Sequence, residues 1–339
     1  MSNASLLSRR TLVKAAAAVP LVAILRRPAH AAEFTYKLAT GQDPTHPVNK
    51  RAQEAIDRIK EASSGKLEIN LFPANQLGSD TDLLTQVRNG GVEFFNLSSL
   101  ILATFVPAAG IVNLGFLFTS YDAVWKAMDG ELGSYIRAQV AKTPIFTVSK
   151  AWDNGFRHIT SSGREIRTAE DLKGFKLRVP AAPNLTSLFQ ALGAGPAPIN
   201  FNEVYSALQT KVVDGQENPL PIIATARLYE VQKTCSLTGH VWDNYWILGN
   251  KRAFDKLPKD LQEIVTREFD RSAMDERADI ARLSDSLRAD LTGKGMQFID
   301  VDRAAFRASL AKTSFYADWK AKFGDDAWAQ LEKAAGKLG

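Results

Sequence analysis

The chain has 339 residues, with 42 basic and 37 acidic side chains and a formal net charge of +5 at pH 7. Residues 1–31 hold five of the basic side chains and no acidic one, so the remaining 308 residues carry 37 charges of each sign. A chain of 308 residues is long enough for two domains. Because its charges balance, there is no electrostatic reason to expect a nucleic-acid partner.

The first segment has the composition of an export signal. It contains S-R-R-T-L-V-K at residues 8–14, a modestly apolar run at 15–25 and A-H-A at 29–31. The double arginine is typical of twin-arginine export, the small-residue triplet is typical of a cleavage site, and the apolar run is too short to span a bilayer. We therefore expect a twin-arginine-type signal peptide over residues 1–31, cleaved near Ala31 to release a periplasmic protein.

Strands and helices alternate in the next part of the chain. Residues 34–38 and 67–71 alternate between apolar and polar side chains as half-buried strands do, and residues 92–97 form a third, mostly apolar run. A helix that begins at Pro47 separates the first two strands, and a shorter helix that ends near Asn89 separates the last two. This β-α-β-α-β order predicts a parallel sheet with right-handed crossovers.

Three linked segments in the middle of the chain carry the strongest functional signal. They read D-L-K-G-F-K-L-R-V-P (171–180), F-N-E-V-Y-S-A-L-Q-T (201–210) and V-D-G-Q-E-N-P (213–219). Arg178 stands at the end of a predicted strand, where open α/β sheets bind their ligands, and its planar guanidinium suits a carboxylate. Asn218 precedes a proline, which favours an extended backbone and presents the amide from a turn.

A long helical pattern lies near the C-terminus. Apolar residues repeat at helical spacing from about Lys259 to Leu291, and Pro258 precedes them. At ~1.5 Å per residue such a helix is on the order of 50 Å long, which exceeds the width of a small domain. It must therefore connect two bodies or extend into solvent.

The three central segments resemble the signature of the solute-binding proteins of TRAP (tripartite ATP-independent periplasmic) transporters, the family that includes binders of sialic acid and of C4-dicarboxylates. The resemblance covers most of the chain beyond residue 31. It implies an α/β fold: a two-domain periplasmic binding protein in which helices flank mixed β-sheets, a long helix spans both domains and the ligand cleft lies between them. It places domain I at residues 34–153 plus about 241–283, and domain II at residues 154–240 plus about 284–339.

The resemblance also implies which residues bind the ligand. The family's arginine that matches Arg178 forms a two-pronged salt bridge with the ligand carboxylate, and the asparagine that matches Asn218 adds a hydrogen bond. Arg157, in the segment N-G-F-R, is the candidate for a second cation, and its alternative role is a surface ion pair. Phe201 matches an aromatic residue that contacts the ligand, although the pattern alone equally allows a core position.

Other candidate ligand-binding residues follow strands or flank the central segments. They are Ser98, Trp152, His46, Asp80, His240 and Trp242. His46 follows the first strand on the expected ligand-facing side, although a lone histidine is more often a structural hydrogen-bonding residue. Asp80 can accept from a hydroxyl group or cap the helix after Gly78. The positions that match the sugar contacts of sialic-acid binders include Gly41, Ser98 and Ala181, which offer few partners for hydroxyl groups, so a small apolar or aromatic carboxylate is favoured over a sialic acid. Phe94 and Phe95 are further candidates for the lining, but these strand positions equally allow the core.

The sequence shows no cluster of catalytic residues. Beyond residue 31 its histidines are widely separated, and it contains no HExxH motif, no G-x-S-x-G motif and no P-loop. We therefore expect a binding protein without cofactor or metal, and not an enzyme. Two alternatives stay open: a sensory protein that delivers its ligand to a periplasmic receptor, and an exported enzyme. The expected partners are a small organic acid and the small and large membrane subunits of a TRAP permease. We expect a monomer that binds no nucleic acid.

Overall fold

The structure, a computed structural model, describes residues 32–338, apart from the side chain of Asp285. The predicted signal peptide lies outside the described residues. The strands are β1 (Phe34–Thr40), β2 (Leu67–Phe72), β3 (Phe94–Ser98), β4 (Ile145–Thr147), β5 (Trp152–Phe156), β6 (His158–Ser161), β7 (Lys176–Val179), β8 (Gly195–Pro198), β9 (Gly215–Asn218), β10 (Thr234–Ser236), β11 (Trp242–Asn250) and β12 (Gln297–Ile299). The helices are α1 (Pro47–Ala62), α2 (Asp80–Asn89), α3 (Ser99–Leu102), α4 (Tyr121–Met128), α5 (Glu131–Val140), α6 (Pro183–Ala191), α7 (Val204–Gln209), α8 (Leu220–Thr225), α9 (Lys251–Asp255), α10 (Lys259–Gly293), α11 (Arg303–Ala311), α12 (Phe315–Phe323) and α13 (Asp325–Ala335). Short 3₁₀ turns cover Pro107–Asn113, Ala169–Leu172, Phe201–Glu203 and Leu228–Glu230. Within the described range, no helix combines the length and the apolar character needed to cross a membrane.

Two mixed sheets form the framework of the fold. In the first, called sheet A, the strand order is β2-β1-β3-β11-β4, and β5 also pairs with β11. In the second, called sheet B, the order is β12-β10-β6-β9-β7-β8. Strand β1 is parallel to both β2 and β3, which confirms the predicted β-α-β-α-β arrangement. Strand β11 follows the first strands of sheet B in the chain, returns to sheet A and pairs antiparallel with β3.

The long helix α10 contributes to two hydrophobic cores. Leu261, Val265 and Phe269 pack in a core with side chains of β1 and α1, beside sheet A. Leu287 and Leu291 pack in a second core with side chains of α7 and α8, beside sheet B. The helix has 35 residues, which corresponds to a length of about 52 Å. The prediction of a long helix is therefore confirmed, and this helix contributes side chains to both cores.

Helix α2 begins with a capping box that fixes its first turn. The Ser79 hydroxyl accepts a hydrogen bond from the backbone N–H of Asp82, and the Asp82 carboxylate accepts one from the N–H of Ser79. The capping role that the sequence allowed for Asp80 is therefore wrong, because Ser79 occupies the capping position. Asp80 is the first residue of the helix and is buried.

Replacing Ser79 with alanine is expected to lower the free energy of unfolding by about 1 kcal/mol, because the N–H of Asp82 loses its acceptor. Urea denaturation of the variant and the wild type measures this difference. Ser309→Ala is a suitable control, since that hydroxyl donates to the carbonyl of Ala305 on the outside of α11. The control should change the free energy of unfolding by less than about 0.5 kcal/mol. Equal losses in the two variants would rule out the capping role.

A hydrogen bond between two side chains connects a segment next to sheet B with a helix next to sheet A. Asn200 lies between β8 and α7, and Thr81 lies in the first turn of α2. The Nδ2 atom of Asn200 lies 3.2 Å from the Thr81 hydroxyl, so the amide donates to it. This contact holds the segment after the last strand of sheet B against a helix that packs on sheet A.

Candidate functional site

A cavity lies between sheets A and B, at the ends of several strands. Its unfilled space measures about 370 Å³, including its opening to solvent. Sheet A and the segments next to it supply Gln42, Asp80, Ser98, Ile101, Asn154 and Tyr245, and sheet B and its neighbours supply Arg157, Arg178, Pro180, Phe201, Asn218 and Ile222. The structure thus brings six of the predicted ligand-binding residues to one cavity, namely Arg178, Arg157, Asn218, Phe201, Ser98 and Asp80.

Arg178 is the central cation of this cavity. It lies on β7, is 2% exposed, and donates from Nε and Nη2 to the carbonyl oxygen of Ile199, at 2.9 and 2.6 Å. Among the described residues, no carboxylate oxygen comes within 4.0 Å of its guanidinium. Burial lowers the pKa of Arg178 to about 10, against the opposing charge of Glu217. A guanidinium has five N–H donors, so the edge formed by Nη1 and Nη2 keeps donors for an anion.

Arg157 is held by an internal ion pair. Its Nε and Nη2 atoms donate to the two carboxylate oxygens of Glu217, at 2.6 and 2.8 Å, and Nη2 also donates to Oδ1 of Asn218 at 2.9 Å. Its Nη1 atom lies 3.5 Å from Asp243. Arg157 is 3% exposed and Glu217 is fully buried, so the alternative of a surface ion pair is wrong. The contact of Nη1 with Asp243 is the longest that the guanidinium makes, so any contact of Arg157 with a ligand would come from Nη1.

Glu217 connects this ion pair to His240. Its Oε2 atom lies 3.0 Å from Nε2 of His240, and Nδ1 of His240 lies 2.7 Å from the hydroxyl of Thr238. Burial alone would raise the pKa of Glu217, but the adjacent Arg157 guanidinium lowers it to about 2. Burial lowers the pKa of His240, and a neutral ring that donates from Nε2 and accepts at Nδ1 satisfies both partners. His240 therefore pairs with Glu217 and does not belong to the cavity lining.

Asp243 on β11 is a second buried acid beside the cavity. Its Oδ2 atom accepts from the hydroxyl of Ser98 at 2.6 Å and from Nδ2 of Asn154 at 2.7 Å, and its Oδ1 atom accepts from Nδ2 of Asn113 at 3.1 Å. Oδ1 of Asn154 and the hydroxyl of Tyr245 are buried without a hydrogen-bond partner among the described residues, and both residues line the cavity. Because buried polar atoms are nearly always paired, these two atoms mark positions for polar groups of a bound molecule or for water.

Asp80 lines the cavity from the first turn of α2. Its carboxylate accepts a hydrogen bond from Nδ2 of Asn75 at 2.9 Å. Burial raises the pKa of Asp80, opposed by the hydrogen bond from Asn75 and by the charge of Arg178. Gly41 leaves room for this carboxylate, since a Cβ atom at Gly41 would lie 2.8 Å from Oδ1 of Asp80. The cavity therefore contains an acidic acceptor as well as a cation.

The other predicted residues lie outside the cavity lining. Trp152 is buried in the core that contains side chains of α1 and α10. Trp242 donates from Nε1 to Oδ1 of Asp153 at 2.9 Å. His46 caps α1, because its Nδ1 atom accepts from the backbone N–H of Val48 at 3.2 Å, and burial lowers its pKa to about 3. These three side chains stabilise the scaffold around the cavity.

Several lining residues were not predicted from the sequence, namely Gln42, Ile101, Asn154, Pro180, Ile222 and Tyr245. Asn154 could have been found, because it belongs to the N-G-F-R segment that indicated Arg157. Tyr245 had no such signal, since it is one of nine consecutive buried residues in β11. Within residues 32–338, no group of three or more His, Cys, Asp or Glu side chains is placed to hold a metal ion.

Comparison with known proteins gives the family. Residues 38–318 match the model of the bacterial extracellular solute-binding protein, family 7. The chain is 30% identical to the 2,3-diketo-L-gulonate-binding periplasmic protein YiaO of Escherichia coli, over 76% of this chain and 79% of that protein. It is 32% identical to the uncharacterized protein y4mM of Sinorhizobium fredii over 90% of this chain, but the match spans only 57% of that relative's length.

Solved structures of similar fold carry small acids. A TRAP periplasmic solute-binding protein from Sulfurospirillum deleyianum with bound succinate matches with a TM-score of 0.84 and 29% identity, over 89% of this chain and 99% of that one. The sugar acid binding protein DctPAm from Advenella mimigardefordensis in complex with galactonate matches with a TM-score of 0.86 and 28% identity, over 91% of this chain and 100% of that one. The predicted resemblance is therefore confirmed: the chain belongs to family 7 of the bacterial extracellular solute-binding proteins and is a solute-binding protein of the TRAP transporter type.

Proposed function

We propose that the protein binds a small organic acid through the acid's carboxylate at Arg178. The observation that carries this proposal is a guanidinium that is 2% exposed, lines the cavity and has no acidic partner among the described residues. A buried charge is costly unless an opposite charge compensates for it. A ligand carboxylate would supply that charge, with its two oxygens facing Nη1 and Nη2 of Arg178. Asn218 would add a hydrogen bond, and Arg157 would hold Asn218 in place through Nη2.

We infer that the acid carries hydroxyl or other polar groups. Asp80, Oδ1 of Asn154 and the hydroxyl of Tyr245 belong to the cavity lining, and each can pair with a ligand hydroxyl. Phe94 and Phe95, which favoured an apolar acid, are 1% and 0% exposed and lie in the cores instead of the lining. The similar structure that contains galactonate, which is a hydroxy acid, supports the same choice. The proposed ligand is a small hydroxy acid with its carboxylate at Arg178 and a hydroxyl at Asp80.

Replacing Gly41 with alanine is expected to weaken the binding of such a hydroxy acid by roughly ten- to a hundredfold. The added methyl group would displace Asp80 and remove a hydrogen bond to a charged acceptor. Isothermal titration calorimetry measures the change in Kd. Gly163→Ala is the matched control, because a Cβ atom at Gly163 meets nothing within 4 Å, and it should leave the Kd unchanged. If both variants bind as the wild type does, Asp80 takes no part in recognition.

We further propose that two domains close on the ligand. Domain I comprises residues 34–153 with about 241–283, and domain II comprises residues 154–240 with about 284–339. The side-chain pair of Asn200 and Thr81 supports the proposal, as does the cavity lining drawn from both sheets. Only the closed arrangement gains all contacts with a ligand that touches both domains, so binding stabilises closure.

We propose that the protein acts in the periplasm after removal of residues 1–31, and that it delivers its ligand to the membrane subunits of a TRAP permease. Membership of the family supports this assignment. YiaO and the two solved structures named above are binding proteins by name, so we also propose that the acid is released chemically unchanged.

A thermal-shift screen of residues 32–339 against galactonate, succinate, a sialic acid and benzoate tests the proposal. A true ligand binds only the folded protein and therefore raises the melting temperature. At a ligand concentration of 100 Kd it adds about 2.7 kcal/mol to the free energy of unfolding. We expect the largest shift from a hydroxy acid and a much smaller shift in an Arg178→Met variant. A largest shift from benzoate would contradict the hydroxyl contacts, and an undiminished shift in the variant would contradict the carboxylate site.

A further inference from the structure

A second pocket, here called the outer pocket, adjoins the ligand cavity. Its unfilled space measures about 590 Å³, part of it open to solvent. Loops next to sheet A line one side of it, and the start of α7 and the segment after α8 line the other side. Phe201 is the one residue in the described part of the chain that lines both the outer pocket and the cavity, so it stands at the partition between them.

Hydrogen bonds fix the partition on the side of sheet A. Gln42 lines the cavity, whereas its neighbours Gly41 and Asp43 line the outer pocket. The carbonyl oxygen of Gln42 accepts from Nδ2 of Asn49 and from the backbone N–H of Ala74, both at 2.8 Å. This loop cannot move aside without the loss of these hydrogen bonds.

A pair of side chains completes this side of the partition. Asp80 lines the cavity and Asn75 lines the outer pocket, and Nδ2 of Asn75 donates to the Asp80 carboxylate at 2.9 Å. A Cβ atom at Gly41 would lie 2.8 Å from Oδ1 of Asp80 and 3.2 Å from Oδ1 of Asn75. The loop therefore packs directly against the pair, and the two spaces are closed from each other here.

On the side of sheet B, Phe201 forms the partition. It begins the short 3₁₀ turn between β8 and α7, is partly buried, and packs against the core that contains side chains of α7 and α8. A phenyl ring has no strong hydrogen-bonding group, so packing alone holds it in place. The ring is therefore the part of the partition that a substitution removes without leaving a polar group unpaired.

The outer pocket suits an uncharged chain with a hydroxyl group. Val204, Ala226 and Leu228 give it apolar surface. Asp43 is the only charged residue that the described part of the chain places in its lining, and Oδ1 of Asp43 accepts from the N–H and the hydroxyl of Thr45, at 2.8 and 2.6 Å. The second carboxylate oxygen is left to accept from a ligand hydroxyl. Uncharged polar side chains also line the pocket, namely Asn75, Asn202 and Tyr205.

We propose that Phe201 sets the greatest length of the acid that the protein binds. This inference rests on the proposed function, in which the acid runs from Arg178 to Asp80. Because Asp80 belongs to the partition, a chain that continues past it meets Phe201. Without the ring the cavity continues into the outer pocket, where a longer chain packs against apolar side chains and its terminal hydroxyl donates to Asp43.

Isothermal titration of 4-hydroxybutanoate, 6-hydroxyhexanoate and 10-hydroxydecanoate into the wild type and Phe201→Ala tests this proposal. We expect the variant to bind 10-hydroxydecanoate at least tenfold more tightly than the wild type does, because each additional buried methylene group strengthens binding about fourfold. The shortest acid ends before the outer pocket and should show no such gain. Phe201→Val also removes the ring and should show a gain in the same direction, and neither gain can come from an unfolded variant.

Tyr205→Ala is the matched control, because it shortens another aromatic side chain of the outer pocket that does not line the cavity. It should bind all three acids as the wild type does. Arg178→Met combined with Phe201→Ala should lose the gain, since the carboxylate stays at Arg178. The absence of a gain in both Phe201 variants, an equal gain in Tyr205→Ala, or a gain that survives in the double variant would overturn the proposal.

The thermal-shift screen separates this inference from the proposed function. A wild type that responds to none of the screened acids contradicts the proposed function. A wild type that binds one of them, together with Phe201 variants that gain nothing for the longest acid, contradicts only the role of Phe201.

Discussion

Replacing Arg178 with methionine is expected to raise the Kd for the organic acid by roughly thirty-fold to several thousand-fold. This corresponds to roughly 2–5 kcal/mol, the range found when one partner of a buried, hydrogen-bonded charge pair is removed. The ligand carboxylate would enter the cavity and lose its main counter-charge, since Arg157 is already paired with Glu217. Arg178→Lys keeps the charge but not the planar pair of N–H donors, so it should recover only part of the affinity. Isothermal titration calorimetry measures all three values.

Arg288→Met is the matched control for this experiment. Arg288 lies on α10, is about half exposed, pairs with Asp300 at 2.7 Å and does not line the cavity. The same chemical change at this position should leave the Kd unchanged. Thermal melting of each variant without ligand shows whether the fold is retained. Wild-type affinity in a folded Arg178 variant would remove the basis of the proposed carboxylate site.

Replacing Glu217 with glutamine is expected to lower the free energy of unfolding by roughly 3–5 kcal/mol. The substitution leaves the Arg157 guanidinium buried, with a neutral amide in place of its carboxylate partner. The remaining acid, Asp243, lies 3.5 Å away and faces a single nitrogen. Removing one partner of a buried ion pair has a large effect because the other charge stays buried without compensation. Urea denaturation measures the difference.

The Glu217 carboxylate also gives the stability a pH dependence. Its pKa is about 2 in the folded protein, below the ordinary value of 4.5 expected for the unfolded chain. A lowered carboxyl pKa adds stability above pH 4.5, and this stability is lost as the pH falls from about 4.5 towards about 2. The wild type should therefore lose more stability across this range than the Glu217→Gln variant, which has no group to titrate at that position.

A surface acid provides the control for the Glu217 experiment. Glu68 pairs with Lys60 at 3.3 Å, and both side chains are exposed. Glu68→Gln should change the free energy of unfolding by less than about 0.5 kcal/mol, because exposed ion pairs contribute little. If the Glu217 variant were as stable as this control, the buried ion pair would contribute nothing to the stability of the fold.

Much of the fold could be predicted because its signals are local. The periods of the first strands and the turns between them give β1, β2 and β3, and an uninterrupted helical pattern gives α10 with its start at Lys259. The return of β11 to sheet A has no such local signal. All nine of its residues are buried, so no alternation of apolar and polar side chains shows which strand it pairs with. Its place between β3 and β4 depends on contacts between distant parts of the chain.

The candidate site likewise contains residues that the sequence predicts and contacts that it does not. Arg178 and Asn218 could be placed from short motifs at strand ends, and the structure brings both to the cavity. The partner of Arg157 could not be predicted, although Glu217 stands next to Asn218 in the sequence. The pairing of β6 with β9, in which His158 lies opposite Asn218, brings the two together. Three of the four residues of β6 and all four of β9 are buried, so no alternation of apolar and polar side chains specifies this register in the sequence.

A crystal structure of the protein with the acid selected by the thermal-shift screen tests the central claim most directly. We predict a carboxylate whose two oxygens lie about 2.7–2.9 Å from Nη1 and Nη2 of Arg178, with a ligand hydroxyl at hydrogen-bond distance from Asp80 or Asn154. A complex in which the carboxylate binds elsewhere, while Arg178 bonds only to the carbonyl of Ile199, would contradict it.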